Sequence, residues 1–362
     1  MTGMGWSTAL GSDLQGVWQS LLAGRTGFQA MPHPRPLRND LAAPVPGVSL
    51  PPGPRLRALA TQAMDQAIRD AGVTPDDPSI QLILGTSLGA WLDDPAEVSS
   101  GMDAWAREVA GTACMALPAI ALSTACSSGS DAIAFGAGLI RAGVAQTCVC
   151  GGADVLTPAK RLGHSALGTL SPSRLRAFDR RHDGTLLGEG AAFMVLQGRP
   201  GIRTHARLAG VGSGNDAAGF TSPDVEARGA VYALRRSLAS AGLEPGAIGI
   251  INAHGSGTPM NDATEAIAFR TLFRGSDQPV AFATKGHFGH TLGATGAIEA
   301  IATVLALAAR QVPPVAGLEE PDPVFPLPLP VGQPLPCDAR FGASLTLGFG
   351  GFNTSLIFER YP

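Results

Sequence analysis

The feature that most constrains this chain is a regular alternation of short apolar runs with longer helix-like segments. The apolar runs are short enough to be buried strands, as in "QLILGTS" at 81–87 and "QTCVCGG" at 146–152. Between them lie segments with helical spacing of apolar residues, such as 55–71, which Gly72 follows. Strands that alternate with helices predict a layered α/β fold rather than a helical bundle or an all-β sandwich.

The same alternation runs through both parts of the chain. The predicted strands are 81–87, 119–125, 146–152, 191–197, 248–255, 279–285 and 343–351. The predicted helices are 55–71, 127–142, 224–241, 260–272 and 293–310. A break near 198–206 separates two parts that each continue with strand–helix alternation, so we expect two halves, 1–205 and 206–362, and a possible duplication.

The charge pattern excludes two classes of partner. Charged residues make up 15% of the chain, the formal net charge is −3, and no basic block occurs. Nucleic acid and anionic membrane surfaces are therefore not predicted partners. The first residues lack the pattern of a secretory signal, and Glu299 interrupts the apolar stretch 297–309, so we expect a soluble, cytoplasmic protein.

The cysteines and histidines do not predict a metal site. Cys148 and Cys150 are two residues apart on a predicted strand and so face the same side, but no second pair completes a zinc site. No HxxxH or HExxH spacing is present. We expect the two cysteines to be small buried hydrophobic residues and the protein to hold no metal.

Cys126 lies at the junction of a predicted strand and a predicted helix, in "ALSTACSSGS". A helix that begins at Ser127 would place the thiol at its N-terminus, where free N–H groups and the helix dipole lower a thiol pKa. The segment that follows is rich in glycine and alanine, so it must be closely packed to be helical. Taken alone, the position suits an inert cysteine and a nucleophile equally well.

Two further strand-to-helix junctions carry histidines. His254 follows the run "IGIIN", and Lys285 and His290 lie in the Gly-rich segment "KGHFGH" after another run. Ligands of open α/β sheets bind at the carboxyl ends of strands. A single histidine is more often structural, but junctions that carry Cys, His and His predict one convergent site. We expect the remaining histidines to be surface or structural residues; these are His33, His164, His182, His205 and His287.

A serine hydrolase is an alternative interpretation of the same sequence. "GTSLG" at 85–89 fits a nucleophile elbow, and the order Ser87, Asp262, His290 could supply a triad. The segment "AWLDDP" that follows is a poor start for the helix that an elbow requires. "GVGSGN" at 210–215 lacks the third glycine of the dinucleotide fingerprint. We therefore expect neither a hydrolase nor a dinucleotide-binding protein.

Four segments together resemble the active-site motifs of the β-ketoacyl-(acyl carrier protein) synthases, elongating condensing enzymes with the thiolase fold. In order and spacing they are "TACSSG", "NAHGSGTPMNDATEA", "KGHFGHTLGATGAIEA" and "LGFGGFN". The amino-terminal segment and 178–196 resemble further parts of the family, so the likeness runs nearly end to end. The resemblance implies a duplicated, five-layer αβαβα fold of the α/β class that assembles as a dimer.

The resemblance also implies which residues react. Cys126 would accept the acyl group, and His254 and His290 would polarise the malonyl thioester carbonyl. The tetrahedral oxyanion needs two N–H donors, for which the amides of Cys126 and Phe349 are the candidates. Two neutral imidazoles that donate N–H groups would stabilise the enolate formed when malonyl loses CO₂. No metal or redox cofactor is required.

Further positions match the family's supporting residues. Lys285 would orient the site through an ion pair with Glu299, and Asp262 and Glu265 match acidic positions behind it. Phe349 matches the gating phenylalanine of the "GFGG" loop.

The implied activity is a decarboxylative Claisen condensation of a cysteine-bound acyl group with malonyl-acyl carrier protein. The implied partners are acyl- and malonyl-loaded acyl carrier protein, in a homodimer or in a heterodimer with a related subunit. A chain shorter than most members of the family, with only 36 residues at 90–125, favours a specialised polyketide or polyene pathway over fatty-acid synthesis. Three further departures are "RAFD" at 176–179 for the usual "RPFD", "DGT" at 183–185 for the usual "DGF", and Phe352 where Thr is usual. We expect Phe352 to narrow the pocket or to reshape the partner surface. A non-condensing acyltransferase and a chain-length-factor-like partner subunit, which usually lacks the cysteine, stay open as alternatives.

Arginines could form a docking surface for an acidic carrier if the fold brings them together. The candidates are Arg55, Arg57, Arg161, Arg174, Arg176, Arg180 and Arg181. We expect the group at 174–181 to contact the carrier.

Overall fold

The computed structural model describes residues 1–201, 203–275 and 278–361. The strands are β1 Gly3–Ser7, β2 Gln29–Ala30, β3 Leu41–Ala42, β4 Ile80–Gly85, β5 Ile120–Leu122, β6 Thr147–Asp154, β7 Gly190–Gln197, β8 Ala206–Asn215, β9 Ile248–Asn252, β10 Val280–Phe282, β11 Gln311–Val312, β12 Leu335–Pro336, β13 Phe341–Gly348 and β14 Phe352–Arg360.

The helices follow the predicted segments closely. They are α1 Leu14–Leu22, α2 Pro52–Ala71, α3 Pro95–Ser100, α4 Ala104–Thr112, α5 Ser128–Arg141, α6 Pro158–Ala166, α7 Arg228–Ala241, α8 Pro259–Leu272, α9 Lys285–Phe288 and α10 Thr295–Ala309. Each predicted strand and helix corresponds to an observed one. The sequence analysis did not predict strands β1, β8 and β14, the two-residue strands β2, β3, β11 and β12, or the shorter helices α1, α3, α4, α6 and α9.

Helix α2 shows how local sequence sets an element. Pro52 occupies the first turn, where its missing N–H costs nothing, and Gly72 ends the helix in a left-handed conformation with φ of 64°. The buried positions include Leu56, Leu59 and Ala63, which recur at helical spacing on one face. That face packs against β1, β6 and β7.

The two large sheets have the same pairing pattern. The first has the order β1-β7-β6-β4-β5, in which the first two pairings are antiparallel and the last two are parallel. The second, followed from its opposite edge, has the order β8-β14-β13-β9-β10 with the same sequence of antiparallel and parallel pairings. This equivalence confirms the predicted α/β fold with an internal duplication.

Helices and sheets alternate in five layers. Helix α2 covers the outer face of the first sheet, and α7, with α8 beside it, covers the outer face of the second. Helices α5 and α10 pack against each other between the sheets. Close contact is required there, since a Cβ added to Gly136 of α5 would lie 2.2 Å from the Sγ of Cys150 on β6.

Helix α10 and the turn before it have the length and hydropathy of a membrane-spanning helix. The window Leu292–Ala309 has a mean hydropathy of 1.8, but 83% of it is buried inside the protein. It is the central core helix of the fold, and its buried charged residue, Glu299, pairs with Lys285.

The duplication gives the strand-to-helix connections that carry Cys126 and His290 equivalent places in the two halves. Cys126 lies between β5 and α5 in the first half, and His290 lies between β10 and α10 in the second. Because α5 and α10 are neighbours, their N-terminal ends bring the two residues to the same region of the molecule.

Candidate active site

Cys126 sits in a 3₁₀ turn, Ala125–Ser127, directly before α5. The preceding Ala125 has a φ of 53°, a left-handed conformation that is costly for a residue with a Cβ. The side chain of Cys126 is buried, with 4% of the residue exposed. The predicted strand-to-helix junction is therefore present, with a strained turn in front of the thiol.

The "GFGG" loop closes over the thiol. The backbone N–H of Phe349 lies close enough to the Sγ of Cys126 to favour its thiolate form. A Cβ added to the neighbouring Gly348 would lie 3.3 Å from the amide nitrogen of Cys126, so a larger residue there would crowd that amide. The amides of Cys126 and Phe349 therefore both lie beside the thiol.

The electrostatics of the thiol differ from the sequence expectation. Burial raises the pKa of Cys126 to about 11, while the charge of Lys285 and the Phe349 N–H act in the opposite direction. A helix N-terminus favours the thiolate, but desolvation is the larger effect in a site this deep. The prediction of a lowered pKa was wrong, and the resting side chain is a thiol at neutral pH.

His254 and His290 face each other beside this thiol. His254 follows β9, His290 follows α9, and their ring centroids are 5.2 Å apart with an interplanar angle of 85°. Both residues are buried. Burial, and secondly the charge of Lys285, holds the pKa of each imidazole well below its usual range, so both are neutral at pH 7.

The hydrogen bonds at Nδ1 define the tautomer of each ring. The Nζ of Lys285 lies 3.1 Å from Nδ1 of His254, and the N–H of Leu292 donates to Nδ1 of His290 over 3.3 Å. An ammonium and an amide are donors only, so each Nδ1 accepts and each Nε2 carries the proton. The two imidazoles therefore both present an Nε2–H group.

Lys285 is buried and fully paired. Its Nζ lies 2.5 Å from Oε1 of Glu299 and also donates to the backbone oxygen of His254. Burial raises the pKa of Glu299 to about 7, and the charge of Lys285 opposes that rise. The geometry contains the ion pair that the resemblance implies.

Two carboxyl groups of α8 hold the loop that carries His254. Glu265 accepts hydrogen bonds from the N–H groups of His254 and Gly255, both over 2.7 Å. Asp262 accepts from the N–H of Phe178 over 2.8 Å and from that of Gly257 over 3.1 Å. These bonds fix backbone rather than reach the thiol.

Burial also shifts the ionisation of these two carboxyl groups. It raises the pKa of Asp262 to about 6 and that of Glu265 to about 8, and the negative charge of Asp262 adds to the shift of Glu265. Both groups therefore pick up protons at a higher pH than solvent-exposed carboxylates do.

One cavity of about 240 Å³ joins the reactive groups. Cys126, His254, His290 and Phe349 line it, whereas Lys285, Glu299, Asp262 and Glu265 stand behind its wall. The lining also contains polar residues that the sequence analysis missed or treated as peripheral; these are His164, Thr169, Asp183, Thr185, Asp216, Ser222, Ser256, Thr258, Asn261 and Asn353.

His164 was expected to be a surface or structural residue and instead lines the cavity. Its imidazole stacks on the ring of Phe349, with centroids 5.8 Å apart and an interplanar angle of 17°. It lies on α6, far from the four motifs in sequence, and no local pattern distinguishes it. Only its place in the fold identifies it.

The serine-hydrolase alternative is not assembled. The hydroxyl of Ser87 donates to Asp154, and its N–H donates to the same carboxylate over 3.0 Å. Asp262 accepts a hydrogen bond from the backbone N–H of Phe178, and Nδ1 of His290 accepts one from the N–H of Leu292, so the two side chains are not hydrogen-bonded to each other. Ser87 is therefore a structural residue that ties the segment after β4 to Asp154 at the end of β6.

The structure bears on two expectations about peripheral residues. Most of the arginines proposed for carrier docking have acidic partners, in the pairs Arg55–Glu189, Arg57–Glu97, Arg174–Glu319, Arg180–Glu320 and Arg181–Glu319. These exposed pairs partly balance the positive charge at 174–181, and contact of that group with the carrier stays a prediction. Phe352 is 37% exposed and does not line the cavity, so it does not narrow it.

Comparison with known proteins identifies the family of the chain. It matches the N-terminal domain model of β-ketoacyl synthases over residues 54–200 and the C-terminal domain model over 205–319. It is 32% identical to the 3-oxoacyl-[acyl-carrier-protein] synthase 2 of Synechocystis sp., with 100% of this chain and 97% of that protein covered.

Solved structures agree with this match. A β-ketoacyl synthase from Burkholderia phymatum STM815 has a TM-score of 0.88 and 30% identity, with 100% of this chain and 99% of that chain covered. A chain in the complex of the ketosynthase ApeO with its chain length factor ApeC, from Xenorhabdus doucetiae, has a TM-score of 0.85 and 28% identity, with 100% and 97% covered. The chain belongs to the β-ketoacyl synthase family, the acyl-transferring condensing enzymes with a thiolase-like fold.

Proposed function

We propose that this protein is a β-ketoacyl-(acyl carrier protein) synthase that joins a Cys126-bound acyl group to malonyl-acyl carrier protein. The observation that carries the proposal is one cavity that holds a thiol and two imidazoles, His254 and His290, that both present an N–H group. A thiol alone suits many acyl transfers. Two neutral N–H donors beside it suit a reaction that passes through an enolate.

In the first half-reaction, the Sγ of Cys126 attacks the thioester carbonyl of the acyl-loaded carrier. The S–C bond to the carrier breaks, an S–C bond to Cys126 forms, and the proton of the cysteine thiol ends on the carrier thiol. The amides of Cys126 and Phe349 are the proposed donors to the tetrahedral oxyanion. Because the resting side chain is a thiol, it loses its proton as it attacks.

In the second half-reaction, malonyl-acyl carrier protein loses CO₂ and its C–C bonding pair becomes an enolate. The Nε2–H groups of His254 and His290 donate to the thioester oxygen, where the charge develops. The enolate carbon then attacks the acyl carbon on Cys126. The S–C bond breaks, the departing Cys126 thiolate takes up a proton from solvent, and the β-ketoacyl carrier is released.

Lys285 and Glu299 act behind this pair as positioning residues. The Lys285 ammonium keeps Nδ1 of His254 an acceptor, and burial, together with the Lys285 charge, lowers the pKa of the imidazole and keeps it neutral. Asp262 and Glu265 hold the loop that carries His254, and Phe349 gates the thiol. These roles agree with those that the family motifs imply.

A specialised polyketide or polyene pathway is the finer part of the proposal. It is supported by the likeness to the ApeO–ApeC complex and by polar residues in the cavity wall, including Thr185 in "DGT". A non-condensing acyltransferase would leave the paired N–H donors without an enolate to stabilise. A chain-length-factor-like subunit would have no use for the thiol.

The proposed partners are acyl carrier protein and a second, related or identical subunit. In the described part of the chain, β5 pairs only with β4 and so presents a free edge for another strand. We propose a cytoplasmic enzyme with two halves, 1–205 and 206–362, supported by the two equivalent sheets, whose strands lie within 3–197 and 206–360.

The test is intact mass spectrometry of the protein and the carrier after addition of acyl- and then malonyl-loaded carrier. We expect an acyl adduct on the protein, then its loss and a β-ketoacyl carrier. Cys126→Ala should abolish both, whereas Cys114→Ala, which removes an exposed thiol outside the cavity, should abolish neither. An adduct without condensation would support the acyltransferase, and no adduct on a folded protein would support the partner subunit.

A further inference from the structure

Three polar residues form a connected part of the cavity wall, which we call the polar cluster: His164, Thr169 and Thr185. Nδ1 of His164 lies 2.9 Å from Oγ1 of Thr169. The N–H of Thr185 donates to the backbone oxygen of Thr169 over 2.8 Å. The cluster is therefore held together by its own hydrogen bonds and shares the cavity with Cys126.

The contacts of Thr169 define the tautomer of His164. The Thr169 hydroxyl also lies 3.0 Å from the backbone oxygen of His164, which can only accept. A hydroxyl has one hydrogen, so both contacts are hydrogen bonds only if Nδ1 of His164 carries a proton and donates to Oγ1. Nε2 is then an acceptor, the opposite of its state in His254 and His290.

The acceptor nitrogen is available over the working pH range. Burial, and secondly the charge of Lys160, lowers the pKa of His164 to about 4, so the ring is neutral above pH 5. Within residues 1–201, 203–275 and 278–361, no protein group hydrogen-bonds to its Nε2. An acceptor in a binding cavity thus has its hydrogen-bonding capacity unused.

Thr185 gives an independent second observation. It is 2% exposed, and its Oγ1 has no hydrogen-bond partner in the described part of the chain. An unpaired buried hydroxyl costs free energy, so its presence in a cavity wall points to a polar ligand. Thr185 also stands where the family motif has phenylalanine, which exchanges an apolar wall for a hydroxyl.

The polar cluster lies beside the position of the bound acyl group. His164 stacks on Phe349, whose backbone amide lies beside the sulfur of Cys126 and favours its thiolate form. A chain attached to that sulfur enters a cavity that His164 and Thr185 both line.

We infer that the polar cluster selects acyl chains that carry a hydroxyl group, which donates to Nε2 of His164 and accepts from the hydroxyl of Thr185. This inference rests on the proposed function, because it assumes an acyl group on Cys126. A methylene satisfies neither group, and a ketone can only accept, so a hydroxyl is the functional group that matches both. His164 and Thr185 are specificity-determining residues for the acyl chain.

The test compares octanoyl-N-acetylcysteamine with its isomers hydroxylated at C3, C5 or C7. The rate of Cys126 acylation is measured by intact mass, and the readout is the rate with each isomer divided by the rate with octanoyl. One isomer should react about 3- to 10-fold faster than octanoyl, the range expected for one or two neutral hydrogen bonds.

The variants distinguish the role of His164 Nε2 as a hydrogen-bond acceptor from the role of its ring in stacking on Phe349. His164→Phe keeps the stacking on Phe349 and should bring that ratio to about 1, whereas His164→Gln, which can offer an amide oxygen, should retain part of it. Thr185→Val should lower the ratio, and so should Thr169→Val, which leaves His164 in place but removes the group that defines its tautomer. Thermal unfolding of each variant confirms that it is folded.

An equal ratio in the wild type and in His164→Phe would overturn the inference, as would a wild-type preference for octanoyl over every isomer. A folded wild-type protein that reacts with none of these thioesters and with no acyl carrier substrate would refute the proposed function, and the inference with it.

Discussion

Replacing Lys285 by methionine tests the electrostatics behind the site. The substitution keeps a long apolar side chain but leaves the carboxyl group of Glu299, which is 1% exposed, without its cation. Burial already raises the pKa of Glu299 to about 7 while Lys285 opposes the rise. Without Lys285 the folded-state pKa of Glu299 should rise further.

The magnitude follows from linkage between ionisation and folding. In the unfolded chain a glutamate has a pKa of about 4.3, and each unit of difference is worth about 1.4 kcal/mol. A carboxyl group whose pKa is raised by folding costs no stability below its unfolded pKa and an increasing amount as the pH rises toward its folded pKa. The wild type already bears this cost up to its own Glu299 pKa of about 7, so the two proteins diverge only above that pH. The stability lost in Lys285→Met relative to the wild type should therefore grow by about 1.4 kcal/mol at most between pH 5 and pH 8.

The assay is urea unfolding of the wild type and Lys285→Met at pH 5, 6, 7 and 8. Loss of the Lys285 hydrogen bonds to His254 lowers the free energy of unfolding by an amount that does not depend on pH. The double variant Lys285→Met/Glu299→Gln, compared with Glu299→Gln alone, lacks the titrating group and should show a pH-independent deficit. A deficit in Lys285→Met that is equal at pH 5 and pH 8, or one that grows equally in the double variant, would refute the reasoning.

Three further predictions concern the reaction groups. Because burial raises the pKa of Cys126 to about 11, its alkylation by iodoacetamide should still accelerate between pH 8 and pH 10; a plateau near pH 7 would contradict this. His254→Ala should slow malonyl decarboxylation by about 10²- to 10³-fold, the effect of losing one oxyanion donor, and much less the acylation of Cys126, measured by CO₂ release and intact mass. Equal losses in both would contradict separate roles. Gly348→Ala, whose Cβ would lie 3.3 Å from the Cys126 amide, should slow acylation roughly tenfold at unchanged thermal stability; unchanged acylation would remove that amide from the oxyanion site.

Much of the fold could be predicted from the chain alone because its causes are local. Short apolar runs and helical spacing placed the strands and helices, and the junction rule placed Cys126, His254 and His290 at strand ends. The edge strand β8 and its neighbour β14 were missed because the glycines of β8 and the polar residues of β14 weaken the apolar pattern. The matching strand order of the two sheets could not be predicted either, because strands that pair are distant in sequence.

Sequence by itself therefore determined the α/β class and the family, and it placed the proposed reactive thiol and its two histidines at one site. The tertiary structure decided the sign of the Cys126 pKa shift, because desolvation depends on what surrounds a group and not on its neighbours in the chain. It also decided the tautomers of His254, His290 and His164. Lys285, which is distant in sequence, defines that of His254, and a nearby amide and a nearby hydroxyl, positioned by the fold, define those of His290 and His164. A motif specifies which chemical groups are present, whereas burial and hydrogen-bond partners decide their charge and proton positions, and those are properties of the packed molecule.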